Sequence, residues 1–314
     1  MSVQASQQVL LGETGPGGYE PRGLLAFARD VARRPAVAAS AAVLLLLVLV
    51  AIFAPLLAPH NPDTINVLNT LASPSAGHLL GTDSLGRDNL SRTLYGTRLA
   101  LEIALPSVLG AFAVGAVLGL IAGYLGGPLD KLLVIVFDSV ISFPAVILGL
   151  ALLSLLGPSV KSVIFVIAVS LVPYYGRLIR AQTLSERKNQ YVKAERSLGD
   201  TRARVLRRHI LPNVLPPLLV IVAMDIPSAV IIEAGLAFLG LGVQPPTPDW
   251  GVMLNDGFTN IGTSPWEIVG PIVGLLVMTT AFTLLGETMR DVLDPRQRLP
   301  QRGLTGRRLR KLDA

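Results

Sequence analysis

Runs of apolar residues long enough to cross a bilayer recur along this chain, and they leave it few ways to fold. A hydrocarbon core about 30 Å thick demands roughly 20 apolar residues per helical span. Six such runs can be read: Pro35 to Ala58, Leu99 to Tyr124, Leu129 to Leu156, Val160 to Leu178, Val214 to Leu239 and Ile268 to Leu285. Hydrocarbon offers no partner to a free backbone N–H or C=O, so each run is expected to be an α-helix. Gly126-Gly127-Pro128 and Gly157-Pro158 mark tight turns between the second, third and fourth runs, and the Pro-rich stretch Gln244 to Asp249 separates the fifth from the sixth. The expectation is an all-α integral membrane protein of six spans. It has an N-terminal segment at 1–35, a span domain at 36–290 with a long loop at 179–213, and a basic tail at 291–314.

Composition supports lipid as the solvent: 51% of the 314 residues are hydrophobic, 15% are charged, and the mean hydropathy is +0.57. A net charge of +6 would suit a nucleic-acid binder if the basic residues covered a soluble face, but here they flank the apolar runs. With the six runs threaded in order, 23 of the 27 Lys and Arg residues fall on the side that holds both termini. Only Arg87, Arg92, Arg98 and Lys161 fall on the other. That bias predicts both termini in the cytoplasm and the loops after the first and fifth spans outside. The first run follows Arg29, Arg33 and Arg34; its length and the long Gly-rich leader favour an uncleaved helix over a signal peptide. Cysteine is absent, which excludes disulfides and thiolate metal sites, and His60, His78 and His209 are far apart in sequence and are expected as loop or interface residues.

The loop between the fourth and fifth spans is patterned. In Tyr191-Val192-Lys193-Ala194-Glu195-Arg196-Ser197-Leu198-Gly199-Asp200, residues Tyr191, Ala194 and Leu198 share one helical face, with charges on the flanks. Gly199 suits the left-handed position that ends a helix, Asp200 can cap the next, and Pro212 is expected to stop that second helix where the fifth span begins. A solvated basic linker would need neither the Gly elbow nor the stop. With its Ala194, Gly199, Leu211 and Pro212, this segment resembles the coupling loop of ABC importer permeases, in which a Glu-Ala-Ala triplet is followed by a Gly and a Leu-Pro. Lys193 and Glu195 depart from that triplet. The resemblance implies that residues Tyr191 to Asp200 dock on an ATPase subunit.

A second resemblance narrows the family. Leu80 to Arg92 with Tyr95 to Arg98, Glu233 to Pro246, and Asp249-Trp250-Gly251 are similar to segments of dipeptide, oligopeptide and nickel permeases, in particular the second permease of such systems. The likeness implies a MetI-like, type I importer fold in a bacterial cytoplasmic membrane. It also implies a homologous partner permease, two ATP-binding subunits or one fused ATPase, and an external peptide-binding protein. ATP and Mg belong on the partner subunits, with no cofactor and no nucleic acid on this chain. From the residues alone, Asp83, Arg87, Asp88 and Arg92 are expected to pair along one short interfacial helix, either as a structural device or as part of a landing surface for the solute-delivering protein. Gly115, Gly119 and Gly123 recur every four residues and predict close helix packing without solute contact.

Carboxylates inside spans are costly and therefore face a partner or a cavity, which singles out Asp138, Asp225 and Glu233 as candidate pathway residues. Asp225, two residues before Pro227, is expected either to line the path and receive a peptide ammonium group or to be held in a structural pair. No phosphate-binding Gly-Lys motif, Gly-x-Ser-x-Gly elbow or His-Glu-x-x-His pair occurs, so uphill transport would draw its energy from another subunit and this chain is expected to be non-catalytic. Two rival classes are an ion-coupled transporter or channel, active without ATPase subunits, and a membrane-embedded hydrolase, which would turn over as an isolated chain.

Overall fold

The computed structural model describes residues 35–293, and the expected N-terminal segment up to residue 34 and the tail from residue 294 lie outside the described residues. In chain order the helices are α1 (Pro35–Leu57), α2 (Asn89–Leu125), α3 (Gly127–Ile141), α4 (Ala145–Leu156), α5 (Val160–Glu186), α6 (Gln190–Ser197), α7 (Arg202–Val205), α8 (Leu211–Phe238), α9 (Trp250–Thr259) and α10 (Val269–Leu293). Five of these carry stretches long and apolar enough to cross a membrane: Ala38–Leu57, Asn89–Leu125, Val160–Glu186, Leu218–Phe238 and Val269–Glu287.

The third expected span is not one rod. It is α3 and α4, bent by 92° at the break between Ile141 and Ala145. Pro144, with φ −55° and ψ 132°, cannot donate to the ladder and forces Phe143 away from helical geometry, so the apolar run continues while the helix does not. Two other spans are longer than hydropathy suggests. α2 starts at Asn89 because Asp88 is extended and its carboxylate accepts from the Ser91 N–H at 2.8 Å. α5 runs on to Glu186, where Arg187 Nη1 donates to the carbonyls of Gly123 (3.3 Å) and Tyr124 (2.8 Å).

The core is the contact between α2 and α5. A Cβ on Gly115 would lie 2.6 Å from Tyr175 Cβ, one on Gly119 2.5 Å from the Gly176 carbonyl, and one on Gly123 2.7 Å from the Arg180 carbonyl. The glycine stripe is therefore a packing face, as its spacing predicts, and the two backbones touch along three turns. The matching order along both helices makes them parallel. Phe137 of α3 fills the notch left by Gly176 on another side of α5.

This parallel pair defines two ends. The C-termini of α2 and α5 share one with the segment Gln190 to Ile210. The other holds the N-terminus of α2, the start of α10 and the helix α9, because Gly270 approaches Thr93 and the Trp250 Nε1–H donates to the Thr93 carbonyl at 3.0 Å. Threaded between these ends, α1, α2, the α3–α4 pair, α5, α8 and α10 make six crossings.

Gly119→Val is expected to force α2 and α5 apart, lowering stability by about 1–3 kcal/mol. Gly110, with no atom near its missing Cβ, should accept the same change with little loss. Thermal unfolding of the two variants in detergent checks this.

Candidate functional site

At the first end the chain makes an elbow. α6 ends at Ser197 with Leu198 as its cap, Gly199 takes φ +93°, and α7 follows at Arg202. A residue with a Cβ is disfavoured at that φ, so the turn depends on glycine. The capping differs from the sequence expectation. Thr201, not Asp200, caps α7 by accepting from the Arg204 N–H at 3.4 Å, while Asp200 accepts from Arg204 Nη1 at 2.7 Å. Pro212 does not stop a helix either. Leu206–Ile210 forms one wide turn, closed by the Leu211 N–H donating to the Leu206 carbonyl, and passes directly into α8. Pro212 sits in the first turn of α8, where its missing N–H costs little.

The expected face of Tyr191, Ala194 and Leu198 is open: Leu198 is 83% exposed and Tyr191 37%. What anchors the elbow is Val192, buried with Val205 and Ile210. Hydropathy did not mark Val192, because one apolar residue in a charged segment carries no period. Tyr191 donates to Glu186 on α5 and accepts from Asn213 Nδ2 on α8 at 3.1 Å. Burial and the neighbouring Glu186 push its phenol above the usual range. Lys193, Ala194, Arg196 and Ser197 are exposed, while Glu195 is half-buried with its carboxylate 3.9 Å from His209 Nε2. Tyr191 thus links the elbow to both α5 and α8. Next to it, Ala203, Arg204, Arg207, Arg208 and Pro212 line a basic hollow of about 690 Å³.

Each intramembrane carboxylate singled out from sequence has a neighbour. Asp138 on α3 pairs with Arg177 on α5 at 3.1 Å, both half-exposed. Asp225 on α8 accepts from the Tyr175 hydroxyl on α5 at 2.8 Å, and Tyr175 is fully buried. Glu233, 2% exposed, faces Asp249 at the far end of α8. Arg177 lies inside α5, and so does Arg180, which the expected loop at 179–213 had included; Arg180 forks onto the Asp130 carboxylate of α3. Glu102 is a further carboxylate within a span. It lies in α2 on an exposed stripe with Arg98, Leu105, Leu109, Ala113 and Val117, and its carboxylate makes no ion pair among the described residues. The same rule that picked out Asp225 would have found it.

The opposite end is a cap of buried charge. Asp83, Arg87, Asp88 and Arg92 do not share one helix: Gly86, at φ +73°, turns the chain between Asp83 and Arg87, and the helix begins only after Asp88. The pairing is nevertheless present and buried, with Arg87 Nε on Asp83 Oδ2 at 2.6 Å. Arg92, 1% exposed, lies 3.5 Å from Asp83 and donates through Nη1 to the carbonyls of Pro62 (3.1 Å) and Pro246 (3.3 Å), tying three loops together. Trp250 is wedged between Gly96 of α2 and Gly274 of α10, where any Cβ would meet its ring at about 2.5 Å. Asp249 caps α9 through the N–H groups of Gly251 (2.7 Å) and Val252 (3.3 Å), and burial raises its carboxyl. His60 and His78, distant in sequence, both turn towards Asp88. The buried Glu267, which accepts from Asn260 Nδ2 at 3.3 Å, is pushed up to about 7 by desolvation.

Residues 115–299 match the model of the binding-protein-dependent transport system inner membrane component, and residues 26–74 match that of the N-terminal TM domain of oligopeptide transport permease C. The chain is similar to the dipeptide transport system permease protein DppC of Alkalihalophilus pseudofirmus, with 39% identity over 80% of this chain and 83% of that one. It is 38% identical to a probable D,D-dipeptide transport system permease protein of Escherichia coli K12, over 83% of this chain and 88% of the other. A glutathione transport system permease protein of Pectobacterium atrosepticum is 36% identical over 86% and 90%. In fold the chain resembles the solved MetNI methionine ABC transporter, with a TM-score of 0.53 and 19% identity over 65% of this chain and 97% of that one.

Because native Glu267 keeps its proton up to about pH 7 and an unfolded glutamate releases it near 4.5, stability is greatest below that lower value and falls as pH rises through 7. Glu267→Gln should flatten the dependence, read as melting temperature against pH between about 4.5 and 8.

Proposed function

The chain belongs to the binding-protein-dependent transport system inner membrane components, and from that premise we propose that it carries di- or short oligopeptides, as one of two homologous permeases around a shared path. The relatives named for dipeptide, D,D-dipeptide and glutathione transport support this substrate class, since all three cargoes are small peptides. The span domain at 36–290 sits in a bacterial cytoplasmic membrane with both termini and the elbow in the cytoplasm. An external peptide-binding protein delivers cargo at the cap end. ATP and Mg act on separate ATPase subunits below, and this chain breaks no bond.

The observation that carries the coupling role is the elbow itself. Tyr191 to Asp200 presents an open apolar face, is anchored inward by Val192, and is hydrogen-bonded to α5 and α8. Closure of the ATPase dimer would push this face, and α5 and α8 would tilt with it, exchanging inward- and outward-open states. Docking relies on apolar contact more than on the charges at Lys193 and Glu195. Within the spans, Asp225, held by Tyr175, and the half-exposed Asp138 are assigned to the path. Glu233 enters it only if the cap opens, and Glu102 adds a carboxylate on a face that α2 leaves free for the path or the partner permease.

Gly199→Pro is incompatible with φ +93° and should leave membrane insertion intact while lowering ATP-dependent peptide uptake at least tenfold in the reconstituted complex. Retained uptake would remove the elbow's role, and uptake by this chain without ATPase subunits would favour the channel reading. Asp225→Asn should reduce uptake or alter the range of peptides accepted, measured by competition among peptides of different charge; an unchanged profile would take Asp225 off the path.

A further inference from the structure

We propose that His60, His78 and Asp88 form a divalent transition-metal site at the cap end, of the zinc class, clipping the exit of α1 to the entry of α2. The three come from separate segments: His60 follows α1, His78 lies in the turn after Ser75, and Asp88 precedes α2. Their ligand atoms all lie within 4.8 Å of one another, and the two imidazole rings are 4.7 Å apart, tilted by 33°.

The carboxylate is divided in its work. Asp88 Oδ2 is saturated by the Ser91 N–H (2.8 Å) and the Ser91 hydroxyl (2.7 Å). Oδ1 is left facing both rings, 2.9 Å from His78 Nδ1 and 3.8 Å from His60 Nδ1. The first distance is a hydrogen bond, whereas the second is too long for one and leaves the outer imidazole beside the carboxylate without being bonded to it. His60 is held there by its main chain, whose N–H donates to Ser91 Oγ at 3.1 Å. Ser91 thus fixes the carboxylate and the backbone of one imidazole together, the kind of outer support that orients metal ligands.

Two neutral imidazoles and one carboxylate match zinc, and also cobalt, nickel or copper, better than the oxygen-rich shells that calcium and magnesium require. Bonds of about 2.0–2.2 Å would bring the three ligand atoms to roughly 3.3 Å apart, which asks for His60 to swing inward and for the 2.9 Å His78–Asp88 pair to open by a few tenths of an ångström as the metal replaces its hydrogen bond. The Asp88 side chain is 1% exposed, His78 19% and His60 43%, so the fourth position opens to solvent. Closing the site would tether the loop after α1 to the first turn of α2, next to Arg92, which itself binds Pro62.

The test uses the full-length chain purified with its co-purifying subunits on a tag without histidine, stripped with chelator and titrated with zinc alone. The wild type should bind one equivalent more than the His60→Ala/His78→Ala double variant, as metal content after dialysis. Cobalt should give a visible absorption band in the wild type only. His60→Ala keeps the His78–Asp88 hydrogen bond, so its metal-free melting temperature should equal the wild type's while zinc no longer raises it. Equal zinc content and affinity in the wild type and the double variant, or zinc binding no tighter than millimolar in both, would overturn the site. Neither result depends on transport, so failure here would leave the permease reading standing.

Discussion

The close approach of α2 and α5 is the constraint from which the rest of the molecule follows. Three glycines bring the backbones together so tightly that no side chain fits between them. In a solvent as apolar as the side chains themselves, such packing is what joins helices, since there is no hydrophobic gain from pairing them. The pair is parallel and runs from one end of the bundle to the other. Its α5 half runs into the elbow through Glu186 and Tyr191, while its α2 half runs into the cap through Asp88, Arg92 and Gly96.

Charge is distributed to fit that design. The carboxylates within the spans are bound to α5 or to the cap: Asp130 and Asp138 to arginines, Asp225 to a tyrosine, Glu233 against Asp249. Removing one partner from such a pair leaves an uncompensated charge in a poor solvent, a loss of about 3–5 kcal/mol for a fully buried case. α5 therefore serves as the hub to which α3 and α8 are electrostatically attached. Glu102 stands apart because it faces outward from α2, which fits a surface that meets protein or solute rather than lipid.

Much of this was legible in the sequence, for identifiable reasons. Apolar length located all six crossings, and the spacing of Gly115, Gly119 and Gly123 marked the face of α2 that packs closely, though not the helix it packs on. What escaped was whatever depended on one residue or on distant ones. Pro144 broke the third span inside an apolar run whose composition never changes. Thr201 took the cap from Asp200 because Asp200 is engaged by Arg204, a choice decided by side-chain geometry. The charged tetrad before α2 was recognised, but its helix was not real; Gly86 and the N-cap at Asp88 set the turn. His60 and His78, 18 positions apart, met only once the loop had folded back on α2.

On the proposed reading, the elbow is where an ATPase grips this bundle among the described residues, because its exposed apolar residues lie on a segment hydrogen-bonded to two spans. The chain contains no cysteine, so a single cysteine in place of Leu198 reports on that surface without background. The decisive measurement is the rate of maleimide labelling at that position in membranes, with and without the co-assembled ATPase subunits. The account predicts fast labelling of the permease alone and strong protection in the full complex. Equal reactivity in both, with assembly verified, would contradict it.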